Sequence, residues 1–125
     1  MNAMNMAKTA YTTSQSPIRT PRGVEYEAFA RITHRLKSAA AKGRVGFGQL
    51  AEALHENRRL WTLLATDVAA DDNGLPQDLR ARIFYLCEFT GDYSGKVLTD
   101  GADVNVLVEI NTAIMRGLRQ KAEAV

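Results

Sequence analysis

The chain has 125 residues, of which 46% are hydrophobic and 24% are charged. These proportions are ordinary for one globular domain and exclude a disordered, collagen-like or disulfide-rich chain. No apolar run has the length of a bilayer-spanning helix or the pattern of a signal peptide, so we expect a cytoplasmic protein that does not contact a membrane.

The net charge of +2 is unevenly distributed. Lys8, Arg19 and Arg22 precede Gly23 and no acidic residue does, which leaves 13 basic residues against 14 acidic ones in the rest of the chain. A nearly neutral body lacks the general electrostatic character of a nucleic-acid-binding protein. Residues 1–20 are small and polar, so we predict a flexible tail there and a single helical domain over residues 21–125.

Two helices are predicted in the first half of the domain. The first is expected from about Pro21 to Lys42, capped by Thr20 and ended by Gly43. Its apolar stripe has helical spacing: Tyr26, Phe29, Thr33, Leu36 and Ala40. The second is expected over 47–70, and its residues at steps of three and four are Phe47, Leu50, Leu54, Asn57, Trp61, Leu64 and Val68.

Two more helices are predicted after the turn at 71–74. The third begins at Pro76. Gly91 and Gly95 weaken its C-terminal half, so an early end or a break is expected there. Its stripe is Leu79, Ile83, Leu86, Thr90, Tyr93 and Val97. The fourth is expected from its cap at Asp103 to about residue 122, with the stripe Val104, Leu107, Asn111, Ile114 and Leu118. Short connections between these segments predict an all-α fold, a compact bundle of about four helices.

The motifs of catalytic and metal-binding proteins are absent from the sequence. His55 and Glu56 begin like a zinc-protease motif, but Arg59 stands where the second histidine is needed. The glycines at 43–48 lack the spacing of a phosphate-binding loop. Cys87, the only cysteine, cannot form an internal disulfide and is expected to be a small buried side chain. We therefore predict an adaptor that binds another macromolecule, with no enzymatic activity, no metal and no cofactor.

Six residues are the candidates for partner binding. Arginine and tryptophan are enriched at the energetic centres of protein interfaces, although Trp61 also has the position of a core side chain. The candidates are Arg58, Arg59 and Trp61 on the second helix and Asn111, Met115 and Arg116 on the fourth.

Two asparagines fall on apolar stripes, Asn57 and Asn111. A buried asparagine is costly unless it is hydrogen-bonded, and it can fix the register of packed helices. We predict that these two side chains set the register of the helices, through contact with each other. The alternative is that they contact the backbone of a partner.

Several large apolar residues lie beside the stripes, and a bundle of this size has limited room to bury them. Any surplus is predicted to form an exposed apolar groove suited to an amphipathic helix of a protein partner. The residues concerned are Leu60, Leu63, Phe84, Phe89, Val106 and Ile110. A second surface, with Arg31, Arg35 and Lys42 on one side of the first helix, is interpreted either as a solvated face or as a phosphate contact.

The chain resembles the FlaF family of flagellar biosynthesis regulators of alphaproteobacteria. The resemblance runs in the right order along nearly the whole chain. It is carried by Ala10-Tyr11, Ser16-Pro17, Glu25-Tyr26-Glu27 with Phe29, the stretch 57–62 (Asn-Arg-Arg-Leu-Trp-Thr), 67–69 with 73–76, 79–81, Phe89-Thr90, 96–98, and the stretch 110–118 (Ile-Asn-Thr-Ala-Ile-Met-Arg-Gly-Leu).

The resemblance implies a non-catalytic role in the production of flagellin, the filament subunit. Members of the family are described as regulators of flagellin synthesis that act alongside the FlbT protein, which is linked to flagellin messenger RNA, and also as flagellin chaperones for export. We therefore expect a flagellin-binding adaptor and export chaperone. The alternative is a post-transcriptional regulator that acts on flagellin messenger RNA directly or through FlbT. Direct RNA binding is the less favoured reading, because the body of the chain is nearly neutral.

Overall fold

The computed structural model describes residues 19–70 and 74–124, with side-chain environments over 26–70 and 74–118. These residues form four α-helices: α1 (Arg19–Ala41), α2 (Phe47–Val68), α3 (Gln77–Asp100) and α4 (Asn105–Ala124). A short 3-10 helix, Gly43–Gly46, joins α1 to α2, and no strand occurs in the described part. The predicted all-α bundle of four helices is confirmed. The tail predicted before Arg19 and most of the turn at 71–74 lie outside the described residues.

The first helix begins earlier than predicted. Because α1 starts at Arg19, Thr20 lies inside it, and the prediction that Thr20 is the cap is wrong. Pro21 permits this start, since the N–H groups of the first helical turn have no intrahelical acceptor and a proline there loses nothing. The predicted end at Gly43 is confirmed, because Gly43 has a φ of 64°, a conformation that glycine adopts without strain.

The third helix is continuous through both glycines, so the expectation of an early end or a break is wrong. Its end is set by Gly101, which has a φ of 71°. The N–H groups of Gly101 and Ala102 both donate to the carbonyl of Lys96, the second at 3.2 Å, and these bonds close the last turn of the helix. The predicted cap of α4 is confirmed, since the N–H of Asn105 donates to Oδ1 of Asp103 at 3.0 Å.

The four helices do not pack equally against one another. α1 packs along both α2 and α4, and α2 packs along α3, whereas α3 and α4 approach each other at few positions. The core between them centres on Trp61 and Phe29, whose rings meet edge to face with centroids 5.3 Å apart. The other fully buried large apolar side chains are Leu36, Leu54, Leu64, Val68, Ile83, Leu107 and Leu118.

Most residues of the predicted stripes are buried or half-buried. The prediction that Phe47 is buried is wrong, because its side chain is 52% exposed. It is the first residue of α2, so it lies at the tip of the α1–α2 hairpin, beyond the region where the two helices cover each other. Its neighbour Val45 is also exposed. Six buried side chains lie outside the predicted stripes: Ile32, Ala39, Ala53, Leu60, Leu75 and Ser94.

Two glycine substitutions are predicted to change stability in opposite directions. A Cβ at Gly91 meets nothing within 4 Å, whereas a Cβ at Gly46 would lie 2.5 Å from the carbonyl oxygen of Ala39. Alanine inside a helix is favoured over glycine by about 0.5–1 kcal/mol. We expect Gly91→Ala to raise the free energy of unfolding by about that amount and Gly46→Ala to lower it by about 1 kcal/mol or more, both measured by urea denaturation. A destabilising Gly91→Ala would contradict a straight, unstrained α3.

Candidate partner-binding groove

The six residues predicted to bind a partner are not brought together in the structure. Trp61 and Asn111 have no exposed surface, and Met115 is half-buried against the core. The remaining three are exposed: Arg58, Arg59 and Arg116. The first two lie on α2 and the third on α4, and these two helices do not pack along each other.

Trp61 and Asn111 belong to a buried polar cluster that joins three helices. The indole N–H of Trp61 donates to Oδ1 of Asn111 at 2.9 Å. The side-chain amide of Asn111 donates to Oδ1 of Asn57 at 2.8 Å and to Oγ1 of Thr33 at 3.0 Å. Thr33 comes from α1, Asn57 and Trp61 from α2, and Asn111 from α4. The prediction that the two asparagines contact each other is confirmed.

One side chain of this cluster has a hydrogen-bond donor without an acceptor. Nδ2 of Asn57 has no hydrogen-bond partner in the described part of the chain, although Asn57 is fully buried. A buried donor without an acceptor costs about 1–3 kcal/mol. Asn57 therefore contributes less to stability than Asn111, all of whose polar atoms are used.

The burial of the cluster determines how the predicted residues can act. In this folded state Trp61 and Asn111 do not reach the surface, so we assign them to holding the helices in register. Direct contact between the six predicted residues and a partner stays a prediction. Arg58 lines a surface cavity, and Arg59 and Arg116 make no hydrogen bond or ion pair within the described residues.

Arg58 bridges α2 and α3. Its guanidinium donates to the carbonyl oxygen of Gly91, through Nη2 at 2.5 Å and through Nε at 3.2 Å. A second arginine makes the reverse connection, since Nε of Arg80 on α3 donates to the carbonyl of Val68 at the end of α2, at 2.8 Å. The last carbonyls of a helix have no intrahelical partner, so this bond satisfies one of them and suits the negative end of the helix dipole.

Between these two connections an open groove of about 890 Å³ runs along α2 and α3. One wall comes from α2 and the other from α3, and this surface is called the α2–α3 groove below. Its lining residues are Arg58, Thr62 and Ala65 on α2, and Phe84, Tyr85, Cys87, Glu88, Gly91 and Asp92 on α3.

The α3 wall of the groove exposes large aromatic side chains. Phe84 is 45% exposed and Tyr85 is 65% exposed. Cys87, expected to be buried, is only half-buried beside them. Phe89 stacks on Tyr85 with ring centroids 6.5 Å apart, which supports the position of the Tyr85 ring. Exposed aromatic groups of this size around a cavity are a feature of protein-binding surfaces.

The surplus apolar residues predicted from the sequence divide into four groups. Phe84 lines the groove as expected, whereas Leu60 is buried and Leu63 is exposed outside the lining. The last group is half-buried: Phe89, Val106 and Ile110. Of the lining residues, only Arg58 and Phe84 were predicted to face a partner. The others, which include Tyr85 and the two acids, lie off the apolar stripes, and nothing in their spacing marks them.

The charges around the groove are mostly acidic. Glu88 and Asp92 are exposed and make no hydrogen bond or ion pair within residues 26–70 and 74–118. The basic face predicted on α1 is partly occupied, since Arg35 forms an ion pair with Glu56 and Nζ of Lys42 donates to Gln49 at 2.6 Å. Among the described residues, no three His, Cys, Asp or Glu side chains converge to hold a metal ion. No helix in that same part is long and apolar enough to cross a membrane.

The fold and this surface define an all-α bundle with an open groove that is lined in part by aromatic side chains. Comparison with known protein families identifies the family of the chain. A family model described as "Flagellar protein FlaF" matches residues 7–118, so the chain belongs to the FlaF family of flagellar proteins. No curated protein and no solved structure gives a significant match.

Removal of either asparagine is predicted to destabilise the bundle, by unequal amounts. Asn111→Ala leaves the Trp61 indole and two buried oxygens without partners, so we expect a loss of about 2–4 kcal/mol. Asn57→Ala removes one hydrogen bond together with the unsatisfied amide, so we expect about 1–2 kcal/mol. Denaturant unfolding followed by the fluorescence of Trp61, the only tryptophan, measures both. Equal losses would contradict the central place of Asn111.

Proposed function

We propose that this chain is a flagellin-binding adaptor that acts in the cytoplasm as an export chaperone and controls flagellin synthesis and secretion. Membership of a flagellar protein family supports the flagellar part of this proposal. The single observation that supports capture of a partner is the α2–α3 groove, with Phe84 and Tyr85 exposed on its wall.

The dimensions of the groove suit an amphipathic helix. Its α2 wall extends from Arg58 to Ala65, a rise of seven residue steps, and its α3 wall from Phe84 to Asp92, a rise of eight. At 1.5 Å per residue these walls are about 10–12 Å long, equal to about two helical turns. A helix of flagellin placed there would bury its apolar side chains on Phe84 and Tyr85 and so be kept from aggregating.

Control of synthesis follows from the same binding event by mass action. A chain occupied by flagellin and a free chain differ in the surface that they offer to other molecules. When export consumes flagellin, the free form accumulates, and its α2–α3 groove becomes available to a regulator such as FlbT. In this scheme the chain measures the amount of unexported flagellin and does not itself catalyse a reaction.

The alternative is a post-transcriptional regulator that acts on flagellin messenger RNA, directly or through FlbT. One observation favours direct contact: the rings of Tyr85, Phe89 and Tyr93 form a stacked row on α3, and such rows stack on unpaired bases. However, Glu88 and Asp92 lie on the same exposed side of α3 and would repel phosphates. Flagellin is therefore the favoured ligand, and steeply salt-dependent binding of flagellin messenger RNA would reverse that preference.

Substitution of Phe84 is predicted to impair flagellin binding, and Phe47 provides a matched control. Both are phenylalanines with about half of their surface exposed, but only Phe84 lines the groove. Since truncation of a central aromatic contact typically costs 2 kcal/mol or more, we expect Phe84→Ala to weaken binding about 30-fold and Phe47→Ala to leave it within about twofold. Isothermal titration of purified flagellin into each variant measures the affinities.

The outcome depends on both variants remaining folded, which thermal unfolding monitored by circular dichroism verifies. Equal affinities of the two folded variants would show that flagellin binds outside the groove. If the unsubstituted chain and flagellin elute separately at tens of micromolar in size-exclusion chromatography, direct capture is wrong. FlbT and the messenger RNA are then the ligands to test.

A further inference from the structure

We infer that the α2–α3 groove selects a helix that carries two cationic side chains one turn apart, next to its apolar anchors. The inference rests on the proposed function and names the chemistry of the partner segment at the same surface. It depends on the charged side chains of the groove, in addition to the apolar ones.

Glu88 and Asp92 form a regular acidic edge. Both line the groove and both are exposed. They are four residues apart on a continuous helix, so their side chains lie on the same face about 6 Å apart along the axis. A second helix laid along the groove has the same rise, so cations at its positions i and i+4 match the two carboxylates in spacing.

No described side chain forms an ion pair with this edge, although Lys96 follows Asp92 by one turn on α3. The one cation in the lining, Arg58, directs its guanidinium to the carbonyl of Gly91. The ion pair between Arg35 and Glu56 involves neither of the two acids. Glu88 and Asp92 therefore remain available, and like charges placed one turn apart repel each other on a helix surface. A cationic partner would relieve that repulsion when it binds.

The groove also has a direction. Phe84 and Tyr85 lie at one end of the α3 wall, and Glu88 and Asp92 follow at one and two further turns. A partner helix must accordingly present its apolar anchors about one turn away from its first cation. Apolar contact provides affinity in this arrangement, and the charged edge provides orientation and excludes acidic helices.

The test compares two double variants with the same change in net charge. In Glu88→Gln/Asp92→Asn the edge is neutralised, and in Glu52→Gln/Glu109→Gln two exposed acids outside the groove are neutralised. Binding of purified flagellin is titrated at about 0.05 M and about 0.5 M salt, because charge pairs on a surface are screened at the higher concentration. Circular dichroism establishes that each variant is folded.

We expect the edge variant to bind flagellin about three- to tenfold more weakly at low salt, the range for two exposed ion pairs, and to show a reduced dependence on salt. The control variant should match the unsubstituted chain. If flagellin binds but the edge variant has unchanged affinity and salt dependence, or if both variants weaken equally, the inference is overturned while the proposed function stands. If the unsubstituted chain does not bind flagellin at either salt concentration, the inference and the proposed function are both wrong.

Discussion

The hydrogen bond between the Trp61 indole and Asn111 is the interaction on which the rest of the bundle depends. Through Asn111 it extends to Asn57 and Thr33, so one buried side chain links α1, α2 and α4. A bundle with shifted helices would be strongly destabilised, because any shift of register would leave several buried polar atoms of this cluster without partners. It therefore defines one alignment of three helices, around which the apolar side chains pack.

The fourth partner in the bundle, α3, stands outside this cluster and is held differently. Arg58 and Arg80 connect it to α2 by side-chain bonds to backbone carbonyls, and it approaches α4 at few positions. The α2–α3 groove lies along this seam, between the two arginines. The three-helix core thus provides a rigid support, and the surface proposed to bind flagellin is formed where α3 packs against one wall of that support.

Periodicity along each helix was sufficient to predict the fold class, most of the buried stripes and the meeting of Asn57 with Asn111, because a side chain on an apolar stripe has to face the core. An exposed apolar groove was predicted, but its location between α2 and α3 and most of its lining residues could not be predicted in this way. Their positions depend on how α3 lies against α2, which no single helix encodes. The exposure of Phe47 was missed for a related reason, since a stripe does not show where the neighbouring helix ends.

The central claim, that flagellin docks in the α2–α3 groove, can be tested on the unsubstituted chain. Cys87 is its only cysteine and lines the groove, half-buried. The rate of alkylation of its thiol by iodoacetamide, followed by mass spectrometry of the Cys87 peptide, is to be measured with and without saturating flagellin. The account predicts a rate at least about tenfold slower in the complex, since alkylation requires solvent access to the thiol. An unchanged rate in a demonstrated complex would contradict it.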